Sequence, residues 1–178
     1  MLSSLGIQDQ EREVLKALNR GSVEYLLIGG YAMRYYGATR STTDVDLLAG
    51  QVQENARKLY RTIEKLVGHS PGFTQAMLME PKQKVTFRGD GYRVSILTSV
   101  DGLTFEAAYQ ERTHGLEKGV VIPVASRKHL AFIKRVAAGV DVNRREMELR
   151  DIAFLESDGT VERSALADRR SRGARPGR

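Results

Sequence analysis

The apolar residues of this 178-residue chain repeat with two different spacings, one typical of helices and one typical of strands. Helical spacing is clearest from 51 to 67, where apolar residues return every three or four positions with charged residues between them. Short apolar runs such as Val23–Ile28 indicate buried strands, and the polar–apolar alternation of Asp44–Leu48 indicates a half-buried one. The chain is therefore expected to mix helices and strands.

Helices and strands alternate along the predicted order of elements. The predicted helices are Asp9–Asn19, Tyr31–Tyr36, Gln51–Val67, Thr104–Tyr109, Arg127–Ala138 and Arg144–Glu156. The predicted strands are Val23–Ile28, Asp44–Leu48, Lys84–Arg88, Tyr92–Leu97 and Val120–Val124. This order predicts an α/β or α+β domain, with a mixed β-sheet flanked by helices and with C-terminal helices. In the last helix we expect five apolar side chains to be buried: Met147, Leu149, Ile152, Ala153 and Leu155.

The composition narrows the class of protein. Hydrophobic residues make up 41% and charged residues 28% of the chain, which suits one folded domain and excludes global disorder. The absence of cysteine excludes disulfides, thiolate zinc sites and cysteine nucleophiles. No apolar run approaches the roughly 20 residues of a membrane span, and the first residues do not resemble a secretion signal. We therefore expect a soluble, cytoplasmic protein without a membrane partner.

The positive charge is concentrated near the carboxyl end. The net charge is +6, and the stretch 162–178 holds six arginines against two acidic residues. We expect residues 1–160 to form the domain and residues 161–178 to form a basic, disordered tail. If that tail has a role, it would attract RNA phosphates without reading sequence. Most of the net positive charge therefore lies in the predicted tail and not in the predicted domain.

The candidate chemistry lies between 26 and 48. Gly29-Gly30 follow a predicted strand and precede a predicted helix, a place where backbone amides can approach a phosphate closely. Asp44 and Asp46, at i and i+2 on the next strand, point to one face and can share a hard cation such as Mg²⁺. Phosphoryl and nucleotidyl transfer require both features together.

This ordered set resembles the nucleotidyltransferase superfamily with the polymerase-beta-like core. The likeness rests on Gly29-Gly30, thirteen intervening residues, and then Asp44-x-Asp46. The stretches YRVSILTSVDGLTFEAAYQER and HLAFIKRVAAG, with Arg150-Asp151, resemble the small prokaryotic branch that includes AbiEii-like and MenT-like toxins. The resemblance spans about 23–155.

The resemblance implies specific roles for residues of this chain. It implies that Asp44 and Asp46 bind Mg²⁺ or Mn²⁺ and that Gly29 and Gly30 hold the phosphates of a nucleoside triphosphate. It also implies that Lys134 and Asp151 belong to the catalytic site. Two further candidates, Arg40 and Thr43, precede the Asp44 strand and could donate to phosphate oxygens. The implied acceptor is a hydroxyl of tRNA or other RNA, of a protein or of a small molecule. The resemblance also implies a toxin–antitoxin or phage-defence setting, with a cognate antitoxin or other protein partner.

The sequence departs from the superfamily at one position. A relative would carry a third carboxylate where this chain has Ser95, within Arg93-Val94-Ser95-Ile96-Leu97. A hydroxyl neither ligates a hard cation as a carboxylate does nor acts as a base near neutral pH. Three interpretations follow: Asp101 or Asp90 substitutes, the enzyme works through one metal, or the protein binds nucleotide without transferring it.

Each candidate also has a purely structural interpretation. The glycine pair could be a tight turn, and Asp44 and Asp46 could face solvent. Lys134 could lie on a solvated helix face, and Asp151 could balance Arg150 or stabilise a helix start.

Overall fold

A six-stranded mixed sheet forms the centre of the molecule, which the computed structural model describes for residues 5–157. In chain order the strands are β1 (Tyr25–Ile28), β2 (Val45–Ala49), β3 (Lys84–Gly89), β4 (Tyr92–Leu97), β5 (Thr113–Glu117) and β6 (Val120–Val124). Their order across the sheet is β3-β4-β2-β1-β6-β5. The β2–β4 and β1–β6 pairs are parallel, and the β1–β2, β3–β4 and β5–β6 pairs are antiparallel. The predicted mixed sheet is confirmed.

Helices flank the sheet, and two of them follow its last strand. They are α1 (Asp9–Arg20), α2 (Gly29–Tyr35), α3 (Gln53–Val67), α4 (Phe105–Gln110), α5 (Arg127–Val140) and α6 (Arg145–Glu156), with a short 3₁₀ turn at Met77–Met79. Helix α1 packs against α3, and α5 packs against α6. Among residues 5–157, none of the helices combines the length and apolar character that crossing a bilayer would need. The predicted basic tail at 161–178 lies outside the described residues.

Local sequence signals explain where several elements begin and end. The Ser126 hydroxyl accepts a hydrogen bond from the backbone N–H of His129, which caps α5. Helix α3 ends at Gly68, whose φ of 75° is the left-handed conformation that glycine adopts without strain. All four residues of β1 are buried, which is why this strand is a continuous apolar run.

Three parts of the structure differ from the prediction. Helix α2 begins at Gly29 itself and not at Tyr31. Strand β5 was not predicted, and it forms a hairpin with β6. On α6 the prediction that Leu149 and Ala153 are buried is wrong, because both are exposed and the polar Glu148 is buried instead. The buried face of α6 thus carries a charge, and this charge belongs to the candidate site.

Candidate active site

The glycine pair and the two aspartates meet at one end of β1 and β2. These strands are antiparallel with Ile28 opposite Asp46, so the end of β1 lies beside the start of β2. Helix α2 leaves directly from that point. A cleft of about 220 Å³ opens here, lined by Gly29, Gly30, Arg40, Thr42, Thr43, Asp44, Asp46, Lys134 and Arg144. The cleft brings together seven of the eight predicted site residues, and the eighth, Asp151, contacts Lys134.

Both glycines are in close contact with polar side chains of the cleft. Gly29 has a φ of 67°, and a Cβ at this position would lie 2.3 Å from Oδ2 of Asp46. A Cβ on Gly30 would lie 2.5 Å from Oγ1 of Thr42. Any side chain at either position would therefore displace the groups that line the cleft. Thr42 is a cleft residue that the sequence analysis missed.

The two aspartates have different surroundings. Burial raises the pKa of Asp46, and nearby Asp44 raises it further, while Lys84, Arg144 and Lys134 act in the opposite direction. Within residues 5–157 the Asp46 carboxylate has neither a hydrogen bond nor an ion pair. Asp44 in contrast lies 3.3 Å from Nη1 of Arg93 and accepts a 3.4 Å hydrogen bond from the Thr43 hydroxyl.

This pair of carboxylates fits one divalent cation. Asp46 is half-buried and unpartnered, Asp44 is next to it on the same strand face, and carboxylate oxygens are the donors that Mg²⁺ and Mn²⁺ prefer. A set of three metal-binding side chains of the histidine, cysteine or carboxylate type does not occur among the described residues. The donor set therefore suits a metal that also takes ligands from a substrate or from water.

Lys134 is the cation at the centre of a buried charge network. Only 5% of it is exposed, so the interpretation as a solvated helix face is wrong. Its Nζ lies 2.8 Å from Glu148 and 2.7 Å from Asp151. Arg144 lies 3.2 Å from the other oxygen of Glu148, and Arg40 pairs with Asp151. The network fixes one lysine and two arginines around the cleft.

Asp151 and Glu148 act on the cleft through their partners. Asp151 lies in the middle of α6, so the interpretation as a helix-start residue is wrong. Neither carboxylate lines the cleft. Glu148 and Arg144 are not among the site residues predicted from the sequence. Asp151 follows Glu148 by three residues, and Glu148 follows Arg144 by four, so the three side chains lie on one helix face. This spacing is visible in the sequence and could have identified both residues.

Ser95 lies beside Asp46, where the superfamily resemblance implies a third carboxylate. The parallel pairing of β2 and β4 sets these two residues opposite each other. Ser95 is 2% exposed, and its hydroxyl lies 3.1 Å from that of Thr86 on β3. Asp101 pairs with Lys82 past the opposite end of β4, and Asp90 is exposed in the β3–β4 turn. Neither aspartate lines the cleft.

Comparison with known proteins gives likeness in structure and none in sequence. The sequence matches no protein-family model. It also matches no curated protein. Among the solved structures similar to it in fold are the following three. A nucleotidyltransferase-like antigenic protein from Paracoccidioides brasiliensis aligns with a TM-score of 0.50 and 16% identity over 81% of this chain and 72% of the other.

The other two structures are a protein from Thermotoga maritima described as a candidate nucleotidyltransferase and the aminoglycoside nucleotidyltransferase ANT(2″)-Ia bound to adenylyl-2″-tobramycin. The first has a TM-score of 0.51 and 17% identity over 78% of this chain and 87% of the other. The second has a TM-score of 0.52 and 18% identity over 90% of this chain and 95% of the other.

This chain has a nucleotidyltransferase-like fold. The AbiEii-like and MenT-like branch stays a prediction, since none of these comparisons addresses it.

Proposed function

We propose that this protein is a metal-dependent nucleotidyltransferase, which transfers a nucleotidyl group from a nucleoside triphosphate to an acceptor hydroxyl. One observation carries the proposal: the unpartnered Asp46 carboxylate touches Gly29 at the start of α2, with Asp44 beside it and Lys134 across the same cleft. A cation site, a tight backbone approach and a fixed ammonium group meet there. Transfer from a triphosphate needs these three groups within one small volume.

Each residue of the cleft has a role under this proposal. Asp44 and Asp46 hold Mg²⁺ or Mn²⁺, which neutralises the charge that develops on the phosphate oxygens when it is bound. The backbone at Gly29-Gly30 faces the phosphates without an intervening side chain. Lys134 and Arg144 add positive charge from α5 and the start of α6.

Residues of the loop before β2 complete the phosphate site. The Thr42 and Thr43 hydroxyls and the Arg40 guanidinium line the cleft and can donate to phosphate oxygens. Asp151 and Glu148, which do not line the cleft, hold Lys134 and Arg144 in place through ion pairs. In the reaction, the acceptor oxygen forms a bond to the α-phosphorus and its proton passes to water. The bond between the α-phosphorus and the oxygen that bridges to the β-phosphate breaks, and pyrophosphate leaves with that oxygen.

The acceptor and the cellular setting are part of the proposal. Adenylyl-2″-tobramycin in the ANT(2″)-Ia structure is a nucleotidylated small molecule, which supports a small-molecule hydroxyl as one acceptor class. The superfamily resemblance supports tRNA or other RNA and protein hydroxyls equally. A toxin–antitoxin or phage-defence setting with a cognate antitoxin, and a cytoplasmic location, stay predictions.

A transfer assay tests the proposal. The protein is incubated with Mg²⁺ and each nucleoside triphosphate labelled on the α-phosphate, together with total tRNA, cell-extract protein or aminoglycosides. We expect label on one acceptor class and release of pyrophosphate in equal amount. The Asp44→Asn/Asp46→Asn variant should lose both signals, whereas Asp90→Asn/Asp101→Asn, which removes the same charge outside the cleft, should keep them. Labelling that survives the first variant would contradict the proposal.

A nucleotide-binding protein without transferase activity is the second candidate. The position of Ser95 favours it, because the hydroxyl beside Asp46 supplies no third anion. This candidate predicts nucleotide binding by the wild type without pyrophosphate release, and release after Ser95→Asp.

A further inference from the structure

Strand β4 places two side chains level with the two aspartates. Because β2 and β4 are parallel with Val45 opposite Val94, Arg93 lies level with Asp44, and Ser95 lies level with Asp46. Side chains two residues apart on a strand share one face, so all four lie on the same side of the sheet. This row decides which charges surround a cation held by Asp44 and Asp46.

The Ser95 end of the row supplies no anion. Ser95 is buried, and its hydroxyl is turned to Thr86. Two-metal sites place two cations about 3.5–4 Å apart, and hard cations such as Mg²⁺ take oxygen ligands, carboxylates above all. The described residues contain no third carboxylate that joins Asp44 and Asp46 in such a cluster.

The Arg93 end of the row supplies a cation instead. Nη1 of Arg93 lies 3.3 Å from Oδ2 of Asp44, and 42% of the Arg93 side chain is exposed. Its Nε is buried and has no hydrogen-bond partner among the described residues, so one donor remains available. An arginine side chain stays charged at every working pH. A permanent positive charge thus lies beside Asp44, one of the two carboxylates that would hold a cation.

Repulsion from Arg88 destabilises the folded protein when no anion neutralises Arg93. Arg88 lies directly opposite Arg93 on β3, and like charges in opposite positions of an antiparallel pair repel each other. Arg88 has no ion-pair partner among residues 5–157, whereas Arg93 has Asp44. Asp44 is the ion-pair partner that the described residues give Arg93, and a bound phosphate would provide a second anion.

We infer that the site holds a single divalent cation per nucleotide, and that Arg93 supplies the second positive charge by moving from Asp44 to a phosphate oxygen. This inference rests on the proposed function and specifies how its site is built. The cation and Arg93 compete for Asp44 when no nucleotide is present, and they cooperate when the triphosphate binds.

Counting bound Mn²⁺ by electron paramagnetic resonance tests this inference. The full chain is titrated with Mn²⁺, with and without a non-hydrolysable ATP analogue. We expect one bound Mn²⁺ per chain in the presence of the analogue. In Arg93→Gln we expect Mn²⁺ alone to bind severalfold more tightly, because Asp44 is no longer shared, and the analogue to bind about tenfold more weakly. Arg61→Gln, which removes an exposed arginine of α3 that does not line the cleft, should change neither affinity.

A second variant tests the vacant carboxylate position. In Ser95→Asp we expect a second Mn²⁺ to bind with the analogue, and circular dichroism checks that the buried substitution folds. If it does not fold, the Arg93→Gln comparison decides alone.

The outcomes separate this inference from the proposed function. Two Mn²⁺ ions per wild-type chain, or an unchanged pair of affinities in Arg93→Gln, would overturn the inference and leave the function intact. Failure of the wild type to bind either Mn²⁺ or the analogue would overturn both.

Discussion

The Lys134→Met substitution should destabilise the protein strongly, because it removes the cation between two buried carboxylates. Lys134 is 5% exposed and lies within 2.8 Å of Glu148 and 2.7 Å of Asp151. Removing one partner from a buried ion pair costs about 3–5 kcal/mol. Arg144 still contacts Glu148, and Arg40 still pairs with Asp151, so we expect a loss near the lower limit, about 3 kcal/mol.

The loss can be measured by urea and thermal unfolding. For a chain of this size, about 3 kcal/mol corresponds to a fall in Tm of about 6–12 °C. The matched control is Lys16→Met, since Lys16 is 39% exposed and pairs with Glu13 on the surface of α1. Surface pairs contribute about 0–1 kcal/mol, so this control should change stability little.

A comparison of single and double variants isolates the pairing itself. In Lys134→Met/Glu148→Gln, removal of one buried negative charge should recover part of the lost stability. A Lys134→Met protein within about 1 kcal/mol of the wild type would refute the reasoning that this network is buried and mutually dependent.

Three further substitutions test the cleft and the last helix. Gly29→Ala should lower the Tm by more than Gly37→Ala, although both glycines have a positive φ. A Cβ at Gly29 would lie 2.3 Å from Asp46, whereas a Cβ at Gly37 would face open space. Equal losses in Tm would contradict this contact. Asp46→Asn should raise the Tm at pH 7 in EDTA, since burial raises the pKa of Asp46 and its ionised form therefore costs stability. That gain should disappear as the pH falls below the ordinary aspartate value of 3.8, where both folded and unfolded chains are protonated; a gain independent of pH would contradict this reasoning. On α6, Ile152→Ala should lower the free energy of unfolding by about 2–5 kcal/mol. Leu149→Ala, at a 51% exposed position, should lower it by less than about 0.5 kcal/mol. Similar denaturation midpoints for the two variants would mean that the buried face of α6 is misassigned.

The central part of the fold follows from local patterns of apolar and polar residues. Strands β1 and β2 and helix α3 carry regular patterns, and the structure places them within two residues of the predicted bounds. The predicted strands Lys84–Arg88 and Tyr92–Leu97 pair as the β3–β4 hairpin, and the residues between them, Gly89-Asp90-Gly91, are of types typical of a tight turn.

Strand β5 could not be predicted because its sequence contains weak signals. The segment Thr-His-Gly-Leu-Glu has a glycine at its centre, where a side chain would crowd Leu5. Its turn with β6 uses Lys118 and Gly119, both with positive φ, and lysine is not a residue that normally announces such a turn. The strand depends on packing that sequence patterns do not contain.

The site was predictable where chemistry and local geometry coincide, and it was not predictable where tertiary contacts decide. Gly29-Gly30 and Asp44-x-Asp46 are contiguous motifs, and the structure brings both to one cleft; their roles in binding phosphate and a cation stay predictions. Thr42 enters the cleft only because a loop folds over Gly30, and Arg144 enters only because α6 packs on α5. The charged face of α6 also explains the error at Leu149, since hydrophobic spacing cannot foresee that Glu148 pairs with a buried lysine.

Calorimetric titration with a nucleoside triphosphate tests the central claim most directly. ATP, GTP, CTP and UTP are each titrated into the wild type and into Asp44→Asn/Asp46→Asn, with Mg²⁺ and with EDTA. The account predicts binding of at least one triphosphate that requires Mg²⁺ and is lost in the double variant. Binding that is equal in both proteins, or absent from the wild type with Mg²⁺, would contradict the claim that this cleft is a metal–nucleotide site.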